Sequence, residues 1–434
     1  MSDLILLIII SFVIIFLAKV IEGRGFGILN FITVFWSVQI IASYAGTVGT
    51  YEWRLGGVTW IYITLGFFLL GWYFGKSIIN KSSHLTVTES TVEISDSSWK
   101  ILFVIIVLGL IKWGYEIALN GFRLSDFFDI NSLAEMNNSF AVSRYSGGSA
   151  VNAITQILNI AVYGSTIIGG FAYNFATSRR QKRLSIFSLL PAFLITISVN
   201  TKATMIGAAL LYLTGYFISY YTLHKRGVSV SIKGILYILV ILFAFLAFMI
   251  FSMMLRIGQL NARTFSIVMR KLVIYMFGNI QSFDVWVSNY ANSLDYTNGG
   301  MTFLGISSSL GILNRVQGVY TSLMGTSSNV YTAFRGIITD FGIVGGIIAL
   351  TVIAVFSGAS EEYNRLKNGI SVISITILSC TFFFMTYGFI ISPWTYMSYI
   401  LAIVLFIIWL IFTKNRSSVF VKDREVELAQ VEER

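Results

Sequence analysis

Charged side chains are unusually scarce in this sequence. Asp, Glu, Lys and Arg make up 12% of the 434 residues, whereas a soluble domain carries about 25%. Hydrophobic residues account for 56% of the chain, and the mean hydropathy is +0.78. This composition excludes an ordinary soluble protein and predicts a chain that lies within a membrane.

Several kinds of chemistry are excluded by what else is missing. The single cysteine, Cys380, lies in an apolar run, so the chain has neither an intrachain disulfide nor a cysteine-based metal site. The sequence has no glycine-rich phosphate loop, no metal-ligand spacing and no long hydrophilic domain that could bind a nucleotide sugar. Ten-residue segments of alternating polarity are also absent, which leaves helices as the membrane-spanning elements.

Long apolar runs recur along the chain, each close to the ~20 residues that a helix needs to cross ~30 Å of hydrocarbon. We predict an all-α polytopic membrane protein in which 1–412 form one transmembrane domain and 413–434 a cytoplasmic tail. The first run has its basic residues, Lys19 and Arg24, behind it, which favours a retained helix over a signal peptide. The eleven predicted spans are 4–20, 26–45, 57–75, 101–119, 151–175, 185–199, 203–221, 234–255, 336–357, 370–390 and 395–412.

The positions of Lys and Arg predict the orientation, because short basic loops stay in the cytoplasm. The segment 179–183 has four basic residues, and Lys225, Arg226, Lys414 and Arg416 fall on the same side of the predicted bundle. This pattern places the N-terminus outside and the C-terminus in the cytoplasm. Two long segments, 120–150 and 256–335, are then external loops.

The second external loop carries an unexpected positive charge. It has six basic and two acidic residues, a net charge of +4. A long loop can be translocated despite its charge, but that does not explain why the charge is there. The charge predicts a pocket for an anionic ligand, and it comes from Arg256, Arg263, Arg270, Lys271, Arg315 and Arg335 against Asp284 and Asp295.

Three of these arginines, Arg256, Arg263 and Arg270, recur every seven residues. On one helix they would share a face, ~10 Å apart. They favour either an amphipathic helix in the membrane interface, touching lipid phosphates, or a site for a lipid pyrophosphate, which arginine binds through its two-pronged guanidinium. The spacing exceeds one pyrophosphate, so one ligand would engage one or two of the three.

The segment 328–342 places two charges at the outer end of a predicted membrane helix. Ser328 or Asn329 is expected to cap that helix, and Gly336 to loosen it. Arg335 and Asp340 are ~140° apart on an ideal helix, so each is expected to have its own partner. A charge at this depth is costly and often functional, although a side chain that extends to the interface is the alternative explanation.

Lys112 and Glu116 lie inside the fourth predicted span, one helical turn apart. Charges at this spacing can neutralise each other. The pattern favours a structural ion pair, with a glycan contact as the alternative.

A family resemblance rests on several of these segments. Asn329-Val330-Tyr331-Thr332-Ala333-Phe334-Arg335, followed by Asp340-Phe341-Gly342, resembles the signature of the oligosaccharide repeat-unit polymerases, the Wzy-type O-antigen and capsule polymerases. Tyr275-Met276-Phe277-Gly278-Asn279 with Phe283 and Trp286, Gly299–Phe303, and Asn200-Thr201-Lys202 are similar to further patterns of that family. The resemblance covers roughly 200–345, and the predicted helix number matches across the chain.

This resemblance implies a fold and a reaction. The fold would be a bundle like that of the membrane glycosyltransferases of the GT-C class, with the large external loop between the eighth and ninth spans. The hydroxyl of one lipid-linked repeat unit would attack the anomeric carbon of a glycan on undecaprenyl pyrophosphate, at the outer face of the bacterial cytoplasmic membrane. No metal or other cofactor is implied. The implied partners are the lipid-linked substrates, membrane lipids, a chain-length regulator and a flippase, with no nucleic acid.

A departing pyrophosphate without a metal needs arginine or lysine to meet its charge. We therefore predict Arg315, Arg335 and Asp340 as catalytic residues, with Asp340 a candidate general base beside Asp284, Glu135 and Glu52. Both histidines, His84 and His224, fall in predicted cytoplasmic loops. The predicted substrate-binding residues are Lys202, Arg256, Arg263, Arg270, Asp284 and Tyr331.

Two other functions remain open at this point. An O-antigen ligase would use the same lipid donor, but that family is associated with a histidine in the large external loop, and this chain has none there. A flippase or transporter needs no covalent chemistry, but such proteins usually have internal repeats and short external loops. No half-to-half repeat is evident in the sequence.

Overall fold

The computed structural model describes most of the chain. The described residues are 2–23, 25–82, 90–145, 153–199, 201–229, 231–257, 261–290, 292–293, 295–314, 321–323, 326–328, 330–367, 369–416 and 418–421. In order, the helices are α1 (Ser2–Glu22), α2 (Ile28–Thr47), α3 (Gly56–Ser82), α4 (Asp96–Leu119), α5 (Ile130–Tyr145), α6 (Ala153–Tyr173), α7 (Arg179–Phe187), α8 (Leu190–Val199), α9 (Lys202–His224), α10 (Ile232–Ile257), α11 (Ala262–Tyr290), α12 (Leu304–Ser309), α13 (Ala333–Leu366), α14 (Val372–Tyr387) and α15 (Met397–Arg416).

Short elements complete the described fold. Two 3₁₀ turns cover Leu124–Phe128 and Pro393–Thr395. Strand β1 (Ser90–Glu93) pairs antiparallel with β4 (Ser418–Val421), and β2 (Thr321–Leu323) pairs antiparallel with β3 (Thr326–Ser328).

The predicted multi-pass membrane protein is confirmed at the level of its helices. The described part of the chain has ten helices that are long and apolar enough to cross a membrane, together with the shorter apolar α14, of 16 residues. The sixth span is longer than predicted, because α7 and α8 follow each other in one segment, Arg179–Val199. The basic run 179–183, predicted as a loop, lies in the first turns of α7, which Ser178 and Gln181 cap reciprocally.

Successive spans run in opposite directions, so their ends gather on two sides of the bundle. On one side, the Ala333 N–H donates to the Gly388 carbonyl (2.6 Å). On the other, Phe26 and Val228 exchange two backbone hydrogen bonds of 2.9 Å. We name the first the Arg335 face, with the helix ends Thr47, Gly56, Ala333, Tyr387 and Met397, and the second the Glu22 face, with Glu22, Ile28, His224, Leu366 and Val372.

The centre of the bundle is the packing of α13 along α3. A Cβ at Gly75 would lie 2.0 Å from the Val355 carbonyl oxygen, and one at Gly358 would lie 2.0 Å from that of Trp72. Only glycine allows the two backbones to approach so closely, a device typical of helix pairs in membranes.

The segment 256–335, predicted as an external loop, contains a long helix. The 29 residues of α11 are exposed at the start, where Arg263 lies, and buried near the end, where Phe283 packs against Trp60 of α3. The helix as a whole contacts α2 and α3. The prediction of one continuous helix bearing Arg256, Arg263 and Arg270 is wrong, because α10 ends at Ile257 and α11 begins at Ala262. The other segment predicted to be external, 120–150, contains the Leu124–Phe128 turn and α5.

Candidate functional site

Arg335 lies in the first turn of α13, at the edge of an aromatic cluster. Its guanidinium carbon lies 4.2 Å from the centroid of the Tyr331 ring and 5.3 Å from that of Trp286. The guanidinium forms no salt bridge with any residue that the structure describes. A cation over aromatic faces is stabilised by their quadrupoles, so the charge is held in place but not neutralised.

The aromatic residues below Arg335 fix the start of α13. The Phe334 ring lies 4.5 Å from that of Trp36, 5.3 Å from that of Trp60 and 6.2 Å from that of Phe283, centroid to centroid. Helices α2, α3 and α11 therefore all contact the residue next to Arg335. The N-cap is Thr332, without a side-chain cap hydrogen bond; the predicted cap at Ser328 is wrong, and Asn329 lies outside the described residues.

Asp340 is fully buried and serves as an acceptor for a neighbouring segment. Its carboxylate accepts hydrogen bonds from the Thr297 hydroxyl, the Met301 N–H (2.8 Å) and the Thr302 N–H (2.7 Å). The expectation that Arg335 and Asp340 have separate partners is thus met. Three donors and complete burial argue for a structural role and against the predicted general base.

The helix α13 breaks at Gly342, whereas Gly336, which was expected to loosen the helix, has helical geometry. Gly342 has φ +76° and ψ 176°, outside the helical region. The carbonyl groups around the break find other donors: Ile343 accepts from the Trp60 indole (2.9 Å), and Thr339 and Asp340 accept from the N–H groups of Thr297 and Asn298 (both 3.3 Å). The break and the Asp340 hydrogen bonds together hold 297–302 against α13.

Asp284 plays a similar part at the start of α3. The fully buried carboxylate accepts from the N–H groups of Arg54 (2.7 Å), Leu55 (2.9 Å) and Gly57 (2.7 Å). It therefore supplies acceptors to the free N–H groups at the beginning of a helix. This arrangement ties α11 to α3 and argues against the predicted contact of Asp284 with substrate.

The remaining predicted site residues are only partly placed. Arg315 lies outside the described residues, as do the side chains of Lys202, Arg256 and Arg270, whose backbones belong to α9, α10 and α11. The structure thus brings together Arg335 and Tyr331 and adds Trp286, whose role in contacting the arginine was not predicted. The two aspartates are placed as fold-stabilising groups.

Sequence reasoning missed a cluster of charges at the Glu22 face. The fully buried Glu361 carboxylate accepts from the Trp72 indole (2.6 Å) and lies 3.1 Å from the Lys76 Nζ. The Glu22 carboxylate accepts from the N–H groups of Leu29 (2.9 Å) and Asn30 (3.0 Å) at the start of α2. The predicted spans end at residues 75 and 357, so Lys76 and Glu361 counted as loop residues; extending both helices by one turn would have revealed them.

A second cation at this face is buried against helix ends. Lys225 donates through Nζ to the carbonyl groups of Asn364 (2.8 Å) and Lys367 (2.7 Å), at the end of α13. Burial lowers the pKa of Lys225 from 10.5 to about 8. Glu362 and Arg365 pair with each other nearby.

The predicted pairing of Lys112 with Glu116 is confirmed as a salt bridge within α4, with Lys112 almost fully buried. Among the residues that the structure describes, no group of three or more His, Cys, Asp or Glu side chains is placed to hold a metal ion.

Comparison with known proteins gives no relative. No family model, no curated protein and no solved structure matches this chain. The family resemblance therefore rests on the sequence motifs alone.

Proposed function

We propose that this protein polymerises oligosaccharide repeat units carried on undecaprenyl pyrophosphate, at the outer face of a bacterial cytoplasmic membrane. The product would be an O-antigen or a capsular polysaccharide. In this proposal the Arg335 face is the outer one, and Arg335 meets the charge of the pyrophosphate without a metal. The motifs around Arg335 and the many membrane-spanning helices support the proposal.

The main support for this proposal is that Arg335 is half-buried and has no acidic partner among the described residues. The half-buried Arg365 pairs with Glu362, and Arg54 with Glu52. Arg335 lies against the rings of Tyr331 and Trp286 and forms no salt bridge with any described residue. A half-buried cation without a counter-ion is unfavourable unless an anion completes it. Phosphate oxygens suit arginine because two N–H groups can bind them side by side.

The proposed reaction develops negative charge on the departing phosphate, and Arg335 would be the cation beside it. The acceptor hydroxyl oxygen bonds to the anomeric carbon of the donor, and the bond from that carbon to the phosphate oxygen breaks. The pyrophosphate leaves with the electron pair, and the hydroxyl proton passes to water. Arg335 stabilises the negative charge that grows on the departing oxygen, while Asp340 and Asp284 hold the surrounding backbone.

The experiment compares polymer length in cells that lack their own copy of the gene and express the wild type, Arg335→Ala, Arg335→Lys or Arg54→Ala at matched membrane levels. Removing a donor that stabilises developing charge typically costs about 10²–10³ in rate. We expect a ladder of repeats from the wild type and single units from Arg335→Ala, with partial rescue by Arg335→Lys. The matched control, Arg54→Ala, lies on the same face and should keep the ladder.

Either of two results would overturn this assignment. A full ladder from Arg335→Ala would remove Arg335 from the reaction. Failure of single units to reach the outer face in the cells without the gene would instead indicate transport.

Transport is the second candidate, and the buried charges at the Glu22 face favour it. Ionisable residues inside membrane helices often mark ion or proton pathways, and Lys76 and Glu361 lie inside the bundle. An assay in detergent distinguishes the two functions. A polymerase extends purified lipid-linked units without a sealed membrane, whereas a transporter leaves them unchanged.

A further inference from the structure

A groove of about 360 Å³ opens at the Glu22 face, between the end of α13 and the start of α14. Two of its walls are apolar and accessible: Phe356 is 59% exposed and Ile373 is 75% exposed. In a chain that spans a membrane, such side chains face lipid tails. One part of the groove is therefore continuous with the lipid-facing surface.

The other part of the groove is cationic. Lys367, which follows the last residue of α13, and Lys414, in the last turn of α15, both line it. The Lys367 Nζ donates to the Tyr363 hydroxyl (3.2 Å) and forms no salt bridge with any described residue. No carboxylate is among the residues that line the groove. The Lys367 charge thus lies beside an apolar wall without a counter-ion among the described residues.

The beginning of α14 adds backbone donors to the same place. Ser371 is the N-cap of this 16-residue helix but makes no side-chain cap hydrogen bond; its hydroxyl instead donates to that of Ser374 (3.1 Å). Both serines line the groove. The first N–H groups of a helix have no acceptor within the helix, and they favour an anion at its N-terminus.

An independent observation comes from Ser360 on α13. This residue lines the groove and is only 7% exposed. A buried serine usually donates to the carbonyl four residues earlier, as Ser357 does to Ile353 (2.8 Å). The Ser360 hydroxyl has no hydrogen-bond partner among the described residues, so a polar donor faces the groove unused.

We propose that this groove binds the phosphate of an anionic phospholipid. The phosphate would lie between Lys367, Lys414 and the N-terminus of α14, with the Ser360 hydroxyl as a further donor, and the acyl chains would follow Phe356 and Ile373. A free phosphate would use the cations but would leave the apolar wall without a partner. The proposal is independent of the proposed polymerase activity, because the groove lies on the face opposite Arg335.

The test measures lipid retention by the purified full-length protein. Native mass spectrometry counts phosphatidylglycerol and phosphatidylcholine bound per chain, for the wild type and for Lys367→Gln/Lys414→Gln. Lys100→Gln is the matched control, because Lys100 is an exposed lysine near the start of α4 on the same face. Size-exclusion chromatography and thermal unfolding check that each variant is folded.

We expect the wild type to retain phosphatidylglycerol in preference to phosphatidylcholine. The double variant should bind phosphatidylglycerol about tenfold more weakly, as for the loss of a charge-assisted hydrogen bond, and Lys100→Gln should bind like the wild type. Millimolar glycerol phosphate, which has the phosphate but no acyl chains, should not compete.

Three results would overturn the proposal. Equal retention of the two lipids would show that the headgroup charge is not recognised. An equal loss in Lys100→Gln would indicate diffuse attraction to a basic face rather than a site. Competition by glycerol phosphate would assign the groove to a soluble phosphate. If the double variant is misfolded, Ser360→Val, which removes the unused hydroxyl, should weaken phosphatidylglycerol binding alone, and unchanged binding would contradict the proposal.

Discussion

Buried carboxylates at the two faces of the bundle are satisfied in different ways. At the Arg335 face, Asp284 and Asp340 accept hydrogen bonds from backbone N–H groups of remote segments. At the Glu22 face, Glu361 lies beside Lys76, and Glu362 beside Arg365. The buried aspartates of the Arg335 face are thus met by backbone amides, whereas Glu361 and Glu362 of the Glu22 face are met by cations. Glu22 itself accepts from backbone amides at the start of α2.

The difference determines which charges remain available. Because backbone amides satisfy Asp284 and Asp340, neither carboxylate pairs with Arg335, which forms no salt bridge with any described residue. Arg54, on the same face, pairs instead with Glu52. At the Glu22 face, several cations and acids inside the bundle neutralise one another. The comparison leaves Arg335 without an acidic partner among the described residues, which is the condition that the proposed anion site requires.

The largest expected effect comes from removing the carboxylate of Asp340. Asp340→Ala leaves the N–H groups of Met301 and Thr302 buried without an acceptor, and we expect a loss of about 3 kcal/mol or more in the free energy of unfolding. Asp340→Asn, which keeps one acceptor oxygen, should lose less. Arg335→Ala should lose only about 1 kcal/mol, the size of a cation–π contact.

Thermal unfolding in detergent, with membrane expression level as a second readout, measures these differences. A stable but inactive Asp340→Ala protein would contradict the structural role and restore Asp340 as a candidate base.

A medium effect is expected at Glu361. Glu361→Ala leaves the Lys76 ammonium and the Trp72 indole without their acceptor, at a cost of about 2–3 kcal/mol. The double variant Glu361→Leu/Lys76→Met should recover much of that loss, because an apolar pair can replace a buried ion pair at little cost. A double-mutant cycle measures the coupling, and the absence of any recovery would show that other charges depend on this pair.

The smallest effect is a pH dependence due to Lys225. Its pKa is about 8 in the folded protein and 10.5 in the unfolded chain, so the folded state binds fewer protons between these values. Stability should therefore rise as the pH increases from about 8 to about 10.5. Unfolding midpoints across this range should rise in the wild type and lose that component in Lys225→Met; an identical slope in both proteins would exclude Lys225 as its source.

The sequence predicted the positions of helices better than the hydrogen-bond partners that remote segments supply. The apolar runs predicted where each membrane helix lies, because the bilayer imposes a length and a composition that are read locally. The helix ends were predicted less well: α13 continues nine residues beyond its predicted end at 357. The Lys112–Glu116 pair was also predictable, since its members are one turn apart on one helix. The break at Gly342 was not, because its cost is offset by donors from Trp60 and from 297–298.

The same distinction holds for the candidate site, where the charged residues were predictable and their contacts were not. Arg335 and Asp340, near the start of α13, stand out in the sequence because charge is rare in a membrane helix. The placement of Trp286 over Arg335, and of the N–H groups of Met301 and Thr302 on Asp340, depends on α11 and on 297–302 lying against α13. The predictions that Asp284 contacts substrate and that Asp340 is a general base did not take into account the backbone donors that each carboxylate meets in the fold.

The sequence by itself determined that this protein is a helical membrane protein and that charge is concentrated in few places, because hydrophobicity adds up locally along a chain. Only the tertiary structure decided which of those charges are satisfied, because a hydrogen-bond partner is supplied by whichever remote segment packs alongside. Asp284 and Asp340 are satisfied in that way. Arg335 lies over two aromatic rings.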